Sequence, residues 1–103
     1  KINLIHQARM IEQAGAFSIV LECVEKRLSK KITESIKIPT IGIGSSNHCD
    51  GQILVTDDLL GLSGFYPRFV KKYANLEKVI ESAIKKYKKD VNNKKFPSNK
   101  NTY

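Results

Sequence analysis

The sequence predicts a parallel α/β fold, and three observations predict it. Segments with the apolar spacing of amphipathic helices alternate with short apolar runs, those runs are rich in β-branched residues, and glycine or proline stands at the junctions. Helix, strand, helix, strand, short connection, strand, helix is the alternation of a parallel sheet covered by helices.

The first helix is expected from Lys1 to Ala14, where Leu4, Ile5, Ala8 and Ile11 fall on one helical face and Gly15 supplies the stop. Ala16 to Leu21 then reads Ala-Phe-Ser-Ile-Val-Leu, the nearly continuous apolar run of a parallel strand buried on both faces, and Glu22 ends it. Val24, Leu28, Ile32 and Ile36 recur every four residues among charged neighbours and predict a second amphipathic helix, ended by Pro39. Thr40 to Ile43 make a second strand, followed by a Gly-Ser-Ser-Asn loop, and Ile53 to Thr56 a third. The helix between them must be short or degenerate. Pro67 is placed to open a helical turn, and Asn75 to cap a helix whose apolar face is Leu76, Val79, Ile80, Ala83, Ile84, Tyr87 and Val91. Beyond Asn92 the apolar content is too low for a fold of its own, so residues 93–103 are expected to form a loosely ordered basic tail behind a domain of residues 1–92.

A chain of 103 residues with 41% hydrophobic content has room for one modest domain. No run approaches the roughly 18 apolar residues of a membrane span, and no secretory apolar core opens the sequence, so a cytoplasmic setting without membrane contact is expected. Cys23 and Cys49 lack a CxxC spacing or a ligand pattern around them and read as reduced, structural thiols. The net charge of +8 falls entirely on residues 61–103, which hold eleven Lys plus Arg against three Asp plus Glu. That region suggests a basic nucleic-acid-binding module. Its charge is nearly all lysine, with Arg68 the sole arginine, and no recognised motif or interleaved aromatics accompany it, so no nucleic-acid partner is expected.

Reactive groups of such folds collect at the C-terminal ends of the strands. Glu22 qualifies, as do Gly44 to His48 and Asp57-Asp58. A carboxylate closing a buried apolar run is desolvated on one side, which makes it a better base near neutral pH; a strand-end Glu paired with a lysine is the plainer alternative. Gly42-Ile43-Gly44-Ser45-Ser46 offers backbone N–H groups to an anion or simply makes a tight turn. Asp50, Asp57 and Asp58 are the candidate oxygen ligands for a divalent ion, although loop aspartates are usually turn formers or caps. His48 has no serine or carboxylate partner at a recognisable spacing.

At these residues the chain resembles the ketopantoate hydroxymethyltransferases. The resemblance is carried by Gly15-Ala16-Phe17-Ser18-Ile19-Val20-Leu21-Glu22-Cys23-Val24, by Ile38-Pro39-Thr40-Ile41-Gly42-Ile43-Gly44 and by Cys49-Asp50-Gly51-Gln52-Ile53-Leu54-Val55. It continues through Asp58, Gly61, Pro67-Arg68-Phe69-Val70-Lys71 and Tyr73-Ala74-Asn75-Leu76 to Phe96-Pro97. It implies the C-terminal portion, about the last three strands, of a (β/α)8 TIM barrel. It also implies transfer of a hydroxymethyl group from methylenetetrahydrofolate to the keto acid 3-methyl-2-oxobutanoate, giving 2-dehydropantoate for pantothenate biosynthesis. Glu22 matches the family's general base. Mg2+ is implied as cofactor, with its ligands upstream and no metal ligand in this chain, and a homo-oligomer, a decamer in the family, is implied for the complete protein.

The sequence departs from the family where Glu25 replaces Pro, Ser45-Ser46 replaces Ala-Gly, Asp57 replaces His, and Asn99-Lys100-Asn101 replaces an acidic, His-containing end. Glu25 and Asp57 add negative charge near the expected site. A noncatalytic remnant of the enzyme is therefore the alternative, and the isolated chain is expected to be inactive because the metal site is missing.

Overall fold

The computed structural model describes residues 3–103. They form two compact units: one runs to Val55 and takes in Tyr66–Val70, and the other comprises Thr56–Phe65 and Lys71–Tyr103.

The first unit is a three-stranded parallel sheet, β1 (Ile19–Glu22), β2 (Thr40–Ile43) and β3 (Gly51–Gln52), in the order β1-β2-β3, with helices α1 (Leu4–Gln13) and α2 (Lys26–Ser35). The expectation for the first helix included Lys1 and Ile2, which lie outside the described residues. Asn3 caps α1 by accepting the His6 N–H at 3.1 Å. The helix closes when the Ala16 and Gly15 N–H groups donate to the carbonyls of Ile11 and Glu12 at 3.3 and 3.0 Å. Glu12 then ties α1 to the entry of β2, its carboxylate accepting the backbone N–H groups of Lys37 and, at 3.0 Å, Ile38.

The core is Ala8 from α1, Ile32 from α2, Ile36, Leu21 from β1 and Cys49, with Leu4, Ile5, Ile19, Val24, Leu28 and Ile38 packed around it. Ile19 and Leu21 point into it, whereas Val20 on the opposite face is 54% exposed. The apolar run was expected to be buried on both faces; in this chain helices cover only one. Beside β1, at the edge of the sheet, runs a groove of about 280 Å3 lined by Leu4, Ala8, Ile11 and Ile19 among others.

A polar seam holds the helix layer to the sheet. Ser29, fully buried, donates to the Val24 and Glu25 carbonyls at 3.0 Å each. Thr33 donates to the Ser29 carbonyl at 2.9 Å, and its hydroxyl lies 2.9 Å from that of buried Thr40. Asp50 completes the seam by accepting the Thr40 N–H at 2.8 Å while donating its own N–H to the Thr40 hydroxyl at 3.2 Å.

The third strand lies earlier than its β-branched residues suggested. The ladder pairs Ile41 with Gly51 and Gly42 with Gln52, and ends with a bond from Ile53 N–H to the Gly42 carbonyl at 3.0 Å. Gly44 turns β2 away at that point, so Ile53–Val55 have no strand to pair with, and both Ile53 and Val55 are exposed. Thr56 opens a helix instead of closing a strand.

The second unit contains α3 (Thr56–Leu60), α4 (Leu76–Asn92) and a 3-10 turn (Asn99–Asn101). Gly61 follows α3 at φ +76°, and a Cβ there would lie 2.5 Å from the Ala74 carbonyl oxygen, so both backbone angle and space demand glycine. α4 buries no residue, and its apolar face, with Val79, Ile80, Ile84, Tyr87 and Val91, is exposed. Asn75 stands at its N-terminus without the side-chain bond expected of a cap. Phe96 packs edge-on against Tyr87, ring centroids 5.6 Å apart.

Candidate active site at the strand ends

Glu22 is the last residue of β1 and pairs in register with Ile43, the last residue of β2, so the two strands present their C-terminal ends side by side. Cys23 next turns the chain at φ +52° while its N–H donates to the Ile43 carbonyl at 2.9 Å. Ser45 locks this turn. Its hydroxyl donates to the Leu21 carbonyl at 2.6 Å and accepts the Val24 N–H at 3.1 Å, spanning the Glu22-Cys23 pair from the neighbouring loop.

The carboxylate of Glu22 is exposed and enters neither of the two side-chain ion pairs found among the described residues, Lys30–Glu34 and Lys85–Glu81. Pairing with a lysine, the plainer reading of a strand-end Glu, is therefore not what this structure contains. The one-sided desolvation expected of Glu22 is also absent in this chain, because the sheet face it shares with Val20 is open.

Glu25 caps α2, accepting the Leu28 N–H at 3.0 Å. The backbone N–H groups of Arg27 and Leu28 hold its carboxyl below the usual carboxylate range. The negative charge that the sequence placed near the site thus serves a helix terminus.

Gly44 leaves β2 at φ +62°, and a Cβ on it would sit 2.8 Å from the Phe69 ring and 3.2 Å from the Cys23 sulfur. Its absence lets the Tyr66–Val70 segment lie against the loop. Between them is a groove of about 530 Å3 lined by Gly44, Ser45, Ser46 and Asn47 on one side and by Gln52, Arg68 and Phe69 on the other. Pro67 opens a turn here, closed by Val70 N–H on the Pro67 carbonyl at 2.9 Å, and no helix follows. Sequence reasoning missed both Ser45 as a clamp and Arg68–Phe69 as a wall. The Pro-Arg-Phe run was visible as a motif, but nothing local linked it to a loop more than twenty residues earlier.

The candidate oxygen ligands do not converge. Asp50 spends its carboxylate on Thr40, and Asp57 and Asp58 form the acidic first turn of α3 in the second unit, where Asp58 accepts from the Ser63 hydroxyl. Among the described residues no three His, Cys, Asp or Glu side chains are grouped to hold a metal ion, so the residues present do not fit Mg2+. His48 is exposed, its N–H donating to the Ser46 hydroxyl at 3.1 Å. Cys49 is a buried core thiol, as expected, but Cys23 is exposed, because the left-handed turn at Cys23 carries its side chain out of the core. No helix among the described residues is long and apolar enough to cross a membrane.

The family model for ketopantoate hydroxymethyltransferase matches residues 1–99. The chain is 57% identical over 100 residues to the 3-methyl-2-oxobutanoate hydroxymethyltransferase of Pelagibacter ubique, an alignment covering 97% of this chain and 39% of that relative. It is 52% identical over 102 residues to the enzyme of the same name from Clostridium botulinum, covering 98% and 37% respectively. The relative from Bartonella tribocorum is 52% identical over 96 residues, covering 93% of this chain and 35% of its own length. The chain thus spans under two fifths of the length of the curated relatives it matches. An identity of 57% over 97% of the chain, together with a family match over residues 1–99, establishes that the chain belongs to the ketopantoate hydroxymethyltransferase family.

Proposed function

We propose that the chain supplies the last three strands of a (β/α)8 barrel and, at the end of β1, the general base of a hydroxymethyl transfer from methylenetetrahydrofolate to 3-methyl-2-oxobutanoate. The observation that carries this reading is the position of Glu22, at the C-terminal end of a parallel strand, outside both side-chain ion pairs of the described residues and in a backbone turn that Ser45 clamps at Leu21 and Val24. The open sheet face and the groove along the β1 edge support a place inside a larger sheet, because an unpaired edge and a bare apolar face are what a neighbouring strand and the rest of a barrel would cover. Residues 1–92 then form the partial barrel domain and residues 93–103 a basic tail.

The proton to be removed is alpha to a carbonyl, and a carboxylate held at the strand end can accept it. The C–H electron pair becomes the nucleophile that bonds the folate's methylene carbon as one of that carbon's C–N bonds breaks, and the C–H proton goes to a Glu22 oxygen. Water then supplies the hydroxyl oxygen as the second C–N bond breaks, the two folate nitrogens take up protons, and tetrahydrofolate leaves. Enclosure by the remainder of the barrel would strip water from Glu22 and strengthen it as a base. Mg2+, which the resemblance implies, belongs to residues outside this chain, and the steps derived for Glu22 do not pass through it. A homo-oligomer of decameric form, small-molecule substrates and a cytoplasmic setting complete the proposal.

The test is complementation. The 103-residue chain alone, assayed for folate-dependent ketopantoate formation with Mg2+, is expected to be inactive; with a separately produced polypeptide carrying the remaining three fifths of a relative, activity is expected to appear. Activity of the chain alone would overturn the partial-barrel reading, and persistent inactivity of a well-assembled complex would favour a noncatalytic remnant.

A further inference from the structure

We infer that the groove between the Gly44–Asn47 loop and Arg68–Phe69 anchors the aminobenzoyl-glutamate half of the folate cosubstrate, with Arg68 gripping a carboxylate and Phe69 packing against the aromatic ring. The inference rests on the folate-dependent reading of the site given above. At about 530 Å3 the groove is of small-molecule size, within the ~300–1,000 Å3 typical of ligand sites.

Its polar groups divide into those already used and those still available. Ser45 is consumed by Leu21 and Val24; Ser46 accepts from His48, and its carbonyl accepts from the Gln52 side chain at 2.7 Å. The Cys49 N–H donates back to the Ser46 carbonyl at 3.1 Å. The His48 and Cys49 amides are thus spent inside the loop, on the hydroxyl and carbonyl of Ser46. No lysine lines the groove. What remains is the exposed guanidinium of Arg68, outside both side-chain ion pairs of the described residues, and the exposed Asn47 side chain.

A guanidinium fork matches a planar carboxylate bidentately and is the natural partner of one. Beside it, the Phe69 ring rests against Gly44 with 37% of the residue exposed, offering apolar surface to a ligand ring. An arylcarboxamide bearing a dicarboxylate tail satisfies both, and simple inorganic anions satisfy only the first. The groove also opens where the ligand must lead: Gly44 directly follows Ile43, the register partner of Glu22, so a tail held here directs the head of the same molecule towards the strand ends.

The experiment titrates the full 103-residue chain with p-aminobenzoyl-L-glutamate, following the Arg68 and Asn47 side-chain signals and the Gly44 amide by NMR and the affinity by calorimetry. Saturable shifts at these groups are expected, with binding weakened about tenfold or more in Arg68→Gln, less in Arg68→Lys, and weakened in Phe69→Leu. Amide spectra of the variants establish that each remains folded. Unchanged affinity in Arg68→Gln, absence of binding, or equal binding of inorganic phosphate would overturn the inference. Glu22→Gln is expected to bind the probe normally, so failure of Glu22 as a base and failure of this groove as an anchor are separate results.

Discussion

Glu22 and Glu25 stand three residues apart with the same functional group and different surroundings, and those surroundings decide what each can do. Glu22 has lone pairs free at a strand end, so in the complemented enzyme Glu22→Gln, which keeps size and hydrogen bonding, is expected to lower turnover about 100-fold or more. Exchange of the substrate's C3 proton with solvent should fall with it, and normal exchange in that variant would remove Glu22 from the base role. Glu25 is committed to the N-terminus of α2 through the N–H groups of Arg27 and Leu28, which lower its pKa. A carboxyl lowered on folding contributes stability that is complete above its unfolded pKa and is lost as pH falls through the folded value. Glu25→Gln is therefore expected to melt earlier than the parent at pH 7 and to converge with it in acid, as thermal melts over a pH series would register. Glu25 was legible in the sequence only as a charge near the site; its role became visible with the direction of its carboxylate.

At the scale of elements, the seam from Ser29 to Asp50 joins α2 to β2 and β3 through side chains rather than strand pairing. Thr40→Val keeps the shape but leaves the Asp50 N–H without its acceptor in a part-buried place, and is expected to destabilise the chain by about 1–3 kcal/mol in denaturant unfolding. α4 ends differently from α1 and α3, with Lys94 at φ +56° where the other two use glycine. The Lys95 and Lys94 N–H groups still close the helix on the carbonyls of Asp90 and Val91, at 2.8 and 3.1 Å. A left-handed residue with a Cβ costs about 1–2 kcal/mol and glycine's added unfolded freedom about half of that, so Lys94→Gly is expected to stabilise by roughly 0.5–1 kcal/mol. A lower melting temperature in that variant would contradict this account. The lysines of α4 are solvated and lie beside an apolar stripe, so any binding of nucleic acid is expected to be sequence-indifferent and to vanish with added salt in a filter or anisotropy assay.

For the whole molecule the unsatisfied element is the sheet. β1 is an edge strand, and Met10, Ile11, Phe17 and Val20 are exposed around it. An open apolar edge of this kind pairs with whatever strand is available, so the isolated chain is expected to self-associate with concentration in sedimentation experiments, and Val20→Lys to shift it towards monomer. The helix periods, the order of elements as far as β2, the strand-end position of Glu22 and the family were determined by the sequence alone, because apolar spacing is local and motif residues are read in order, whereas the short α3 at Thr56–Leu60 was not. The third strand was misplaced because β-branched composition reports a preference, whereas a strand exists only where a neighbour supplies the ladder, and β2 turns away at Gly44. Which carboxylate is free and which is spent, that Ser45 clamps the turn behind Glu22, and that Arg68 and Phe69 form a wall of the groove at the Gly44 loop were decided by tertiary structure. The clamp and the wall depend on contacts between residues some twenty or more positions apart in the chain, which no local pattern encodes, whereas Glu25 spends its carboxylate on Leu28 only three residues on, a cap that depends on the local backbone direction.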